Sequence, residues 1–386
     1  EMKRVRRKGA NFMEQYRDKK WVDETWEKIE KKLSQVVPRN GNNLPYTSQN
    51  GRFDDQSKNN VCWWTNGFWP GMMWIMYAAT GKALYKETAM QGEKLLDKAL
   101  ENYEGLHHDV GFMWHITSGV HYRLCGEEQA KKRALYTANI LAGRYNLNGK
   151  FIRAWNGKGN EGWSIIDSMM NIPLLYWASD YTGDPRFRFI AESHADTTMY
   201  NHVRADGSVK HIVVYDPLTG EMLEEKGGQG YGEGSSWSRG QAWALYGFTL
   251  SYIHTHKQEY LDTAKKVAHY FIASVAEDYL PRCDFRAPQE PVVYDSTAGA
   301  IAACGLIELA RLVPEYEQKL YLMPALHMLE AMEKQFCNWD EDEDSILQMG
   351  TERYHTETGR HMPIIYGDYF FIEALYKLRG GKELFW

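Results

Sequence analysis

Cysteine is scarce. The chain has five in 386 residues, Cys62, Cys125, Cys283, Cys304 and Cys337, an odd number, widely scattered and without a CxxC pair. That pattern excludes a disulfide framework and a cysteine zinc site. No uninterrupted apolar run is long enough to cross a bilayer, so no membrane partner is expected. No signal peptide is visible in a chain that begins at Glu1, which leaves cytoplasmic and periplasmic locations both open. Basic runs are short as well. The cluster Lys3, Arg4, Arg6, Arg7 and Lys8 reads as a solvated terminus, and a net charge of −6 argues against a nucleic-acid partner. No HExxH, no GxSxG and no phosphate-binding loop occurs, and His107 and His108, being adjacent, are expected to point in different directions. Neither a metal nor another cofactor is therefore expected.

Aromatic residues are plentiful, with 14 Trp and 25 Tyr. Such rings stack on sugar faces while their polar edges hydrogen-bond, and the excess leans toward carbohydrate. Hydrophobic periodicity predicts helices in alternating partners. The expected spans are 13–33, 66–77, 84–100, 112–124, 127–144, 165–181, 185–203, 238–253, 260–275, 296–312, 316–336 and 368–378, with a long loop over 37–60. The first member of a pair is apolar around its circumference, as in Ile301 to Ile307, and the second is charged on one face, as in Leu261 to Ala268. Hairpins that cannot bury their apolar faces alone must stack. Their unequal lengths argue against an open solenoid and for a closed ring, a single all-α domain over 1–386 built as an (α/α)6 barrel of six helical hairpins.

In such a ring the N-termini of the inner helices gather at one rim, together with Trp64, Asn66, His108, Asp109, Asp167, Trp237, Arg239, Asp295 and Asp368. Long loops over 146–162, 204–234 and 338–367 lead into that rim, with a short hairpin expected at 209–215, and long loops on one face commonly build a site. Asp167 is expected in the first turn of a helix capped by Ser164, and Asp109 at the head of the next apolar helix. Two carboxylates facing one cavity are the minimum equipment for acid/base work on a sugar. Gly227–Gly234 lacks a preceding strand and a GKS or GKT ending, so it reads as a flexible loop that lets backbone approach a ligand. Arg239 either clamps a carboxylate or pairs with a neighbouring aspartate.

Trp64-Thr65-Asn66-Gly67-Phe68-Trp69, His107-His108-Asp109-Val110-Gly111-Phe112, Ile165-Ile166-Asp167, Trp237-Ser238-Arg239-Gly240-Gln241-Ala242-Trp243 and Tyr366-Gly367-Asp368-Tyr369-Phe370 occur in this order. Together they resemble the unsaturated glucuronyl hydrolases, α/α-barrel glycoside hydrolases of family 88. The related unsaturated rhamnogalacturonyl hydrolases stand as the alternative, as does a sugar-binding protein without catalysis. The resemblance implies removal of a 4,5-unsaturated uronic acid from lyase-generated oligosaccharides by hydration of its vinyl-ether double bond. It implies Asp167 as general acid/base, Asp109 as holder of the substrate hydroxyls, and His211 and Gln229 near the ring or the water. It also implies stacking walls from Trp64, Trp155, Trp237 and Trp243, with Arg239 on the polar edge of the sugar and Asn66 and His108 among the substrate-binding residues. Some relatives carry an aspartate where this chain has Asn66. Some also bind a sulfate through Ser and Lys residues where this chain has Arg360 and His361, which can serve an anionic group.

Overall fold

The computed structural model describes residues 19–386. The Lys3–Lys8 cluster and the start of the helix expected from Met13 lie outside the described residues. Each apolar helix pairs with an amphipathic one, because a helix that is apolar all round must be covered on every side. The inner helix α2 (Phe68–Thr80) packs on outer α3 (Ala83–Glu101), and α4 (Val120–Cys125), entered through π-helical turns at Gly111–Gly119, packs on α5 (Glu128–Ala142). The series continues with α6 (Pro173–Thr182) on α7 (Pro185–Asn201), α8 (Ser238–Thr255) on α9 (Gln258–Ser274), and α10 (Ser296–Leu312) on α11 (Glu315–Phe336). The last inner helix, α12 (Ile365–Leu378), takes the first outer helix, α1 (Lys19–Asn40), as its partner and packs against α2. That contact closes the ring. The chain is an (α/α)6 barrel.

Two boundaries differ from expectation for identifiable reasons. Helix α1 runs past Leu33 because Val36 and Val37 are buried and the Asn40 side chain donates to Val36 O and Asp344 Oδ2. The stretch 165–172 is not the start of an α-helix. Trp163–Ile165 is strand β1, paired antiparallel with β2 (Ile212–Tyr215), which pairs in turn with β3 (Met222–Lys226). Ser164 is therefore a mid-strand residue opposite Val213, its hydroxyl against His202 Nε2 at 3.3 Å, and caps nothing.

The ends of the inner helices away from the long loops are pinned by buried charge. Lys377 Nζ reaches Glu308 Oε1 at 2.6 Å and Glu373 Oε1 at 3.2 Å, while the Tyr246 hydroxyl (2.6 Å) and Trp386 Nε1 (3.1 Å) donate to Glu373. Breaking one side of a buried pair strands the other charge. Lys377→Met is expected to cost about 3–5 kcal/mol, seen as a lower chemical-denaturation midpoint at unchanged slope.

Candidate active site

Strand pairing, not a helix start, delivers Asp167. The Ile166 amide donates to His211 O at 3.1 Å, so the register that joins β1 to β2 sets Asp167 beside His211. Asp167 then opens a 3-10 turn, Ile166–Met170, that leads into α6. From the same turn Ser168 meets His108 Nδ1 at 2.7 Å, and Asn171 follows immediately. The Asn171 amide donates to Asp109 Oδ1 and to the backbone carbonyl of Asp167, each at 3.2 Å, and its oxygen accepts the Phe112 amide at 2.9 Å. A Cβ on Gly111 would sit 2.6 Å from Asn171 Cα, so glycine at that position is what allows the two segments to close. Asp109 and Asp167 are thus neighbours at one rim, tied by one asparagine.

Their charges are split. Burial would raise the Asp109 carboxyl, but His108 and His107 outweigh it and hold Asp109 well below the usual carboxylate range. His107 Nδ1 lies 3.1 Å and His108 Nε2 3.3 Å from Asp109 Oδ2. The expectation that the two rings point apart is therefore wrong: both turn to one carboxylate, their ligand-type atoms lying within 4.8 Å of one another. Asp167, with a side chain 14% exposed, goes the other way. Burial pushes its carboxyl up, the Asp109 charge adds to the push, and Arg239 opposes it, leaving Asp167 at about 7. One carboxylate is ionised and its neighbour can carry a proton, a split of the kind that acid/base chemistry requires.

Asp167 Oδ1 and His211 Nε2 face each other at 3.7 Å, both buried and both without a hydrogen-bond partner among the described residues. Buried polar atoms are normally satisfied, so a pair left open at a rim marks where a ligand is received. The indole nitrogens of Trp237 and Trp243 are open in the same way. Trp237 lies against His211 at 4.2 Å between centroids, and Trp64 lies against Tyr366 at 5.1 Å. Trp243 is fully buried among Phe112 and Phe370, and Trp155 packs on Trp163 at 5.9 Å.

Known proteins resemble the chain over most of its length. The family description Glycosyl Hydrolase Family 88 matches residues 39–280. The chain is 37% identical over 333 residues to the unsaturated glucuronyl hydrolase of Bacillus sp. (strain GL1), covering 84% of this chain and 88% of that one. It is 33% identical to the unsaturated chondroitin disaccharide hydrolase of Streptococcus pyogenes serotype M1, covering 84% and 83%. The solved unsaturated glucuronyl hydrolase from Streptococcus agalactiae superposes with a TM-score of 0.87 at 31% identity, covering 95% and 93%. The chain belongs to glycoside hydrolase family 88. It is an enzyme, a glycosidase.

In this family 88 enzyme several rim residues are committed to the protein. Of the two readings of Arg239, the ion pair is the one present. Its guanidinium is 1% exposed, pairs with Asp295, donates to the carbonyls of Thr351 (2.7 Å) and Glu352 (2.9 Å), and lies over Trp237 and Tyr366. Asn66 is fully buried and donates to Asn60 O and Val61 O. Arg360 Nε donates to Tyr354 O at 2.6 Å, and His361 Nε2 accepts the Tyr294 amide at 2.9 Å. Asp368 is buried and braces the amides of Ile346 and Leu347. Gln229 donates through Nε2 to Glu352 O at 2.8 Å and through its amide to His211 Nδ1 at 3.0 Å. Asn171 and Ser168 carry no motif of their own. Ser168 lies one residue and Asn171 four residues after Asp167, and that spacing is the one signal in the sequence that could have found them.

A raised carboxyl costs stability. Between the unfolded value near 4 and about 7 the folded protein keeps a proton that the unfolded chain has released, so stability falls as pH rises through that window. Asp167→Asn removes the penalty. It is expected to be more stable than wild type at pH 8, by up to about 4 kcal/mol, with the difference vanishing toward pH 4, as thermal unfolding at both pH values would read.

Proposed function

We propose that the enzyme removes a 4,5-unsaturated uronic acid from the non-reducing end of lyase-generated oligosaccharides, acting on the vinyl-ether double bond and not by displacement at the anomeric carbon. The observation that carries this reading is the charge split at the rim, an Asp109 held ionised by His107, His108 and Asn171 beside an Asp167 pushed up to about 7, so that near neutral pH it is partly protonated. The names borne by the Bacillus and Streptococcus pyogenes relatives point to the same substrate class.

Protonating an enol ether needs an acid of modest strength and a site that tolerates positive charge at C5 and the ring oxygen. Asp167 donates its proton to C4. The cation that develops at C5 is stabilised by the fixed negative charge of Asp109, which His107, His108 and Asn171 hold in place. Asp167, now a carboxylate, takes a proton from the water that adds to C5. The product is a hemiketal that opens to a keto sugar and frees the next residue of the chain. The acid is returned to its starting state, so proton and water balance over one turnover. Trp64 supplies a face for the sugar, His211 Nε2 meets the ring or the water, and Gln229, Arg239 and Trp237, whose ring is already covered by His211 and Arg239, shape that wall. Trp243, Trp155, Asn66, His108 and Arg360 support it from behind.

The double bond absorbs in the near ultraviolet, so turnover bleaches it. A panel of unsaturated disaccharides from chondroitin, hyaluronan, heparin, ulvan and rhamnogalacturonan is expected to include at least one that loses absorbance, and unchanged absorbance across all of them would end the proposal. Bleaching of the rhamnogalacturonan member alone would move the enzyme to the neighbouring rhamnogalacturonyl activity. Asp167→Asn should lower kcat by about 10²–10⁴-fold without loss of fold. Because the acid must be protonated, kcat should fall as pH rises through about 7.

A further inference from the structure

The glycine-rich segment Gly227–Gly234 touches the site through its backbone, and what it touches is His211. Gly228 has φ +61°, in the left-handed region. A Cβ built on it would lie 2.0 Å from His211 Nδ1, 2.6 Å from Cε1 and 3.0 Å from Cγ. All three of the nearest atoms belong to that one imidazole. No side chain fits at 228 unless the ring moves.

The next residue explains what the close approach achieves. The Gln229 amide donates to His211 Nδ1 at 3.0 Å. Burial and the Arg239 charge outweigh a contact with the Gly227 backbone that favours the charged form, so the ring is pushed down to about 3, is neutral and carries a single proton. An Nδ1 that accepts an amide cannot carry that proton, which therefore sits on Nε2. Nε2 is the atom that faces Asp167 Oδ1 at 3.7 Å.

The segment is itself rigidly held. Asp284 accepts the Tyr231 and Ser236 amides, each at 3.0 Å, Gln229 O accepts the Tyr354 amide at 2.9 Å, and Tyr231 O meets His355 Nε2 at 2.6 Å. The loop is a clamp pinned at both flanks.

We propose that Gly228 and the Gln229 amide are positioning elements that lock His211 in the Nε2–H tautomer and aim that hydrogen at the acid/base carboxylate and the water it activates. The proposal rests on the acid/base reading of Asp167. Gly228 touches no substrate and acts only through the histidine.

Coupling between the two positions tests this. Gly228→Ala is expected to lower kcat by about 100-fold with KM changed by less than about threefold, whereas Gly232→Ala, where an added Cβ meets nothing within 4 Å, should leave both unchanged. In a His211→Ala background the clash has no target. There Gly228→Ala should change kcat by less than about twofold, the signature of residues acting as one unit. Backbone strain at the left-handed φ is common to both backgrounds and cancels in the cycle. If Gly228→Ala alone folds poorly, thermal melts carry the same comparison, since the double variant should recover the midpoint lost by the single one. Wild-type kcat in Gly228→Ala, or equal losses in both backgrounds, would overturn the proposal. Failure of the acid/base reading looks different: no disaccharide is turned over, yet the melting cycle still reports the contact.

Discussion

The site depends on how Asp109 is held. A carboxylate that is 6% exposed would ordinarily take up a proton, because burial penalises its charged form. Here two imidazoles and one amide surround it, so the ionised form is the favoured one. That fixed negative charge then acts on its neighbour. It helps lift Asp167 to about 7. Remove the bracket and both carboxyls would compete for one proton with no assigned roles.

The barrel supplies what the bracket requires. A ring of inner helices running the same way gives a rim at which residues from distant segments meet, and buried ion pairs near Lys377 hold the other end in register. The rim itself is assembled from irregular structure: π-helical turns after Asp109, a 3-10 turn at Asp167, and a strand pair that fixes His211. These segments spend their hydrogen bonds on one another, through Asn171, Ser168 and the Gln229 amide. Precision at the site comes from those cross-links more than from helix geometry.

Much of this was legible in the residues. An apolar circumference against a one-sided charged face separated inner helices from outer ones, and Ser296–Leu312 was placed to the residue because Asp295 caps it and Val313-Pro314 ends it. The stretch after Gly162 misled for a physical reason. A short apolar run satisfies a helix and a strand equally, and the partner that decided the matter, Ile212–Tyr215, lies far along the chain. The same distance hid Asn171, whose importance is a matter of what it reaches. The histidine pair misled differently. Alternation along an extended chain would send His107 and His108 apart, but the chain turns there, and both rings return to the carboxylate that follows.

Arg239 shows how a residue can be structural and electrostatic at once. Its donors are spent on Asp295 and on the carbonyls of Thr351 and Glu352, so it anchors the loop that precedes the last inner helix. From that fixed place its positive charge pulls Asp167 down while burial and Asp109 push it up. The outcome near neutrality is a balance: a further negative charge brought beside Asp167 would favour its protonated form, and a further positive charge its carboxylate. The protonation of Asp167 is thus set by the charges fixed around it, and no change to Asp167 itself is needed to move it.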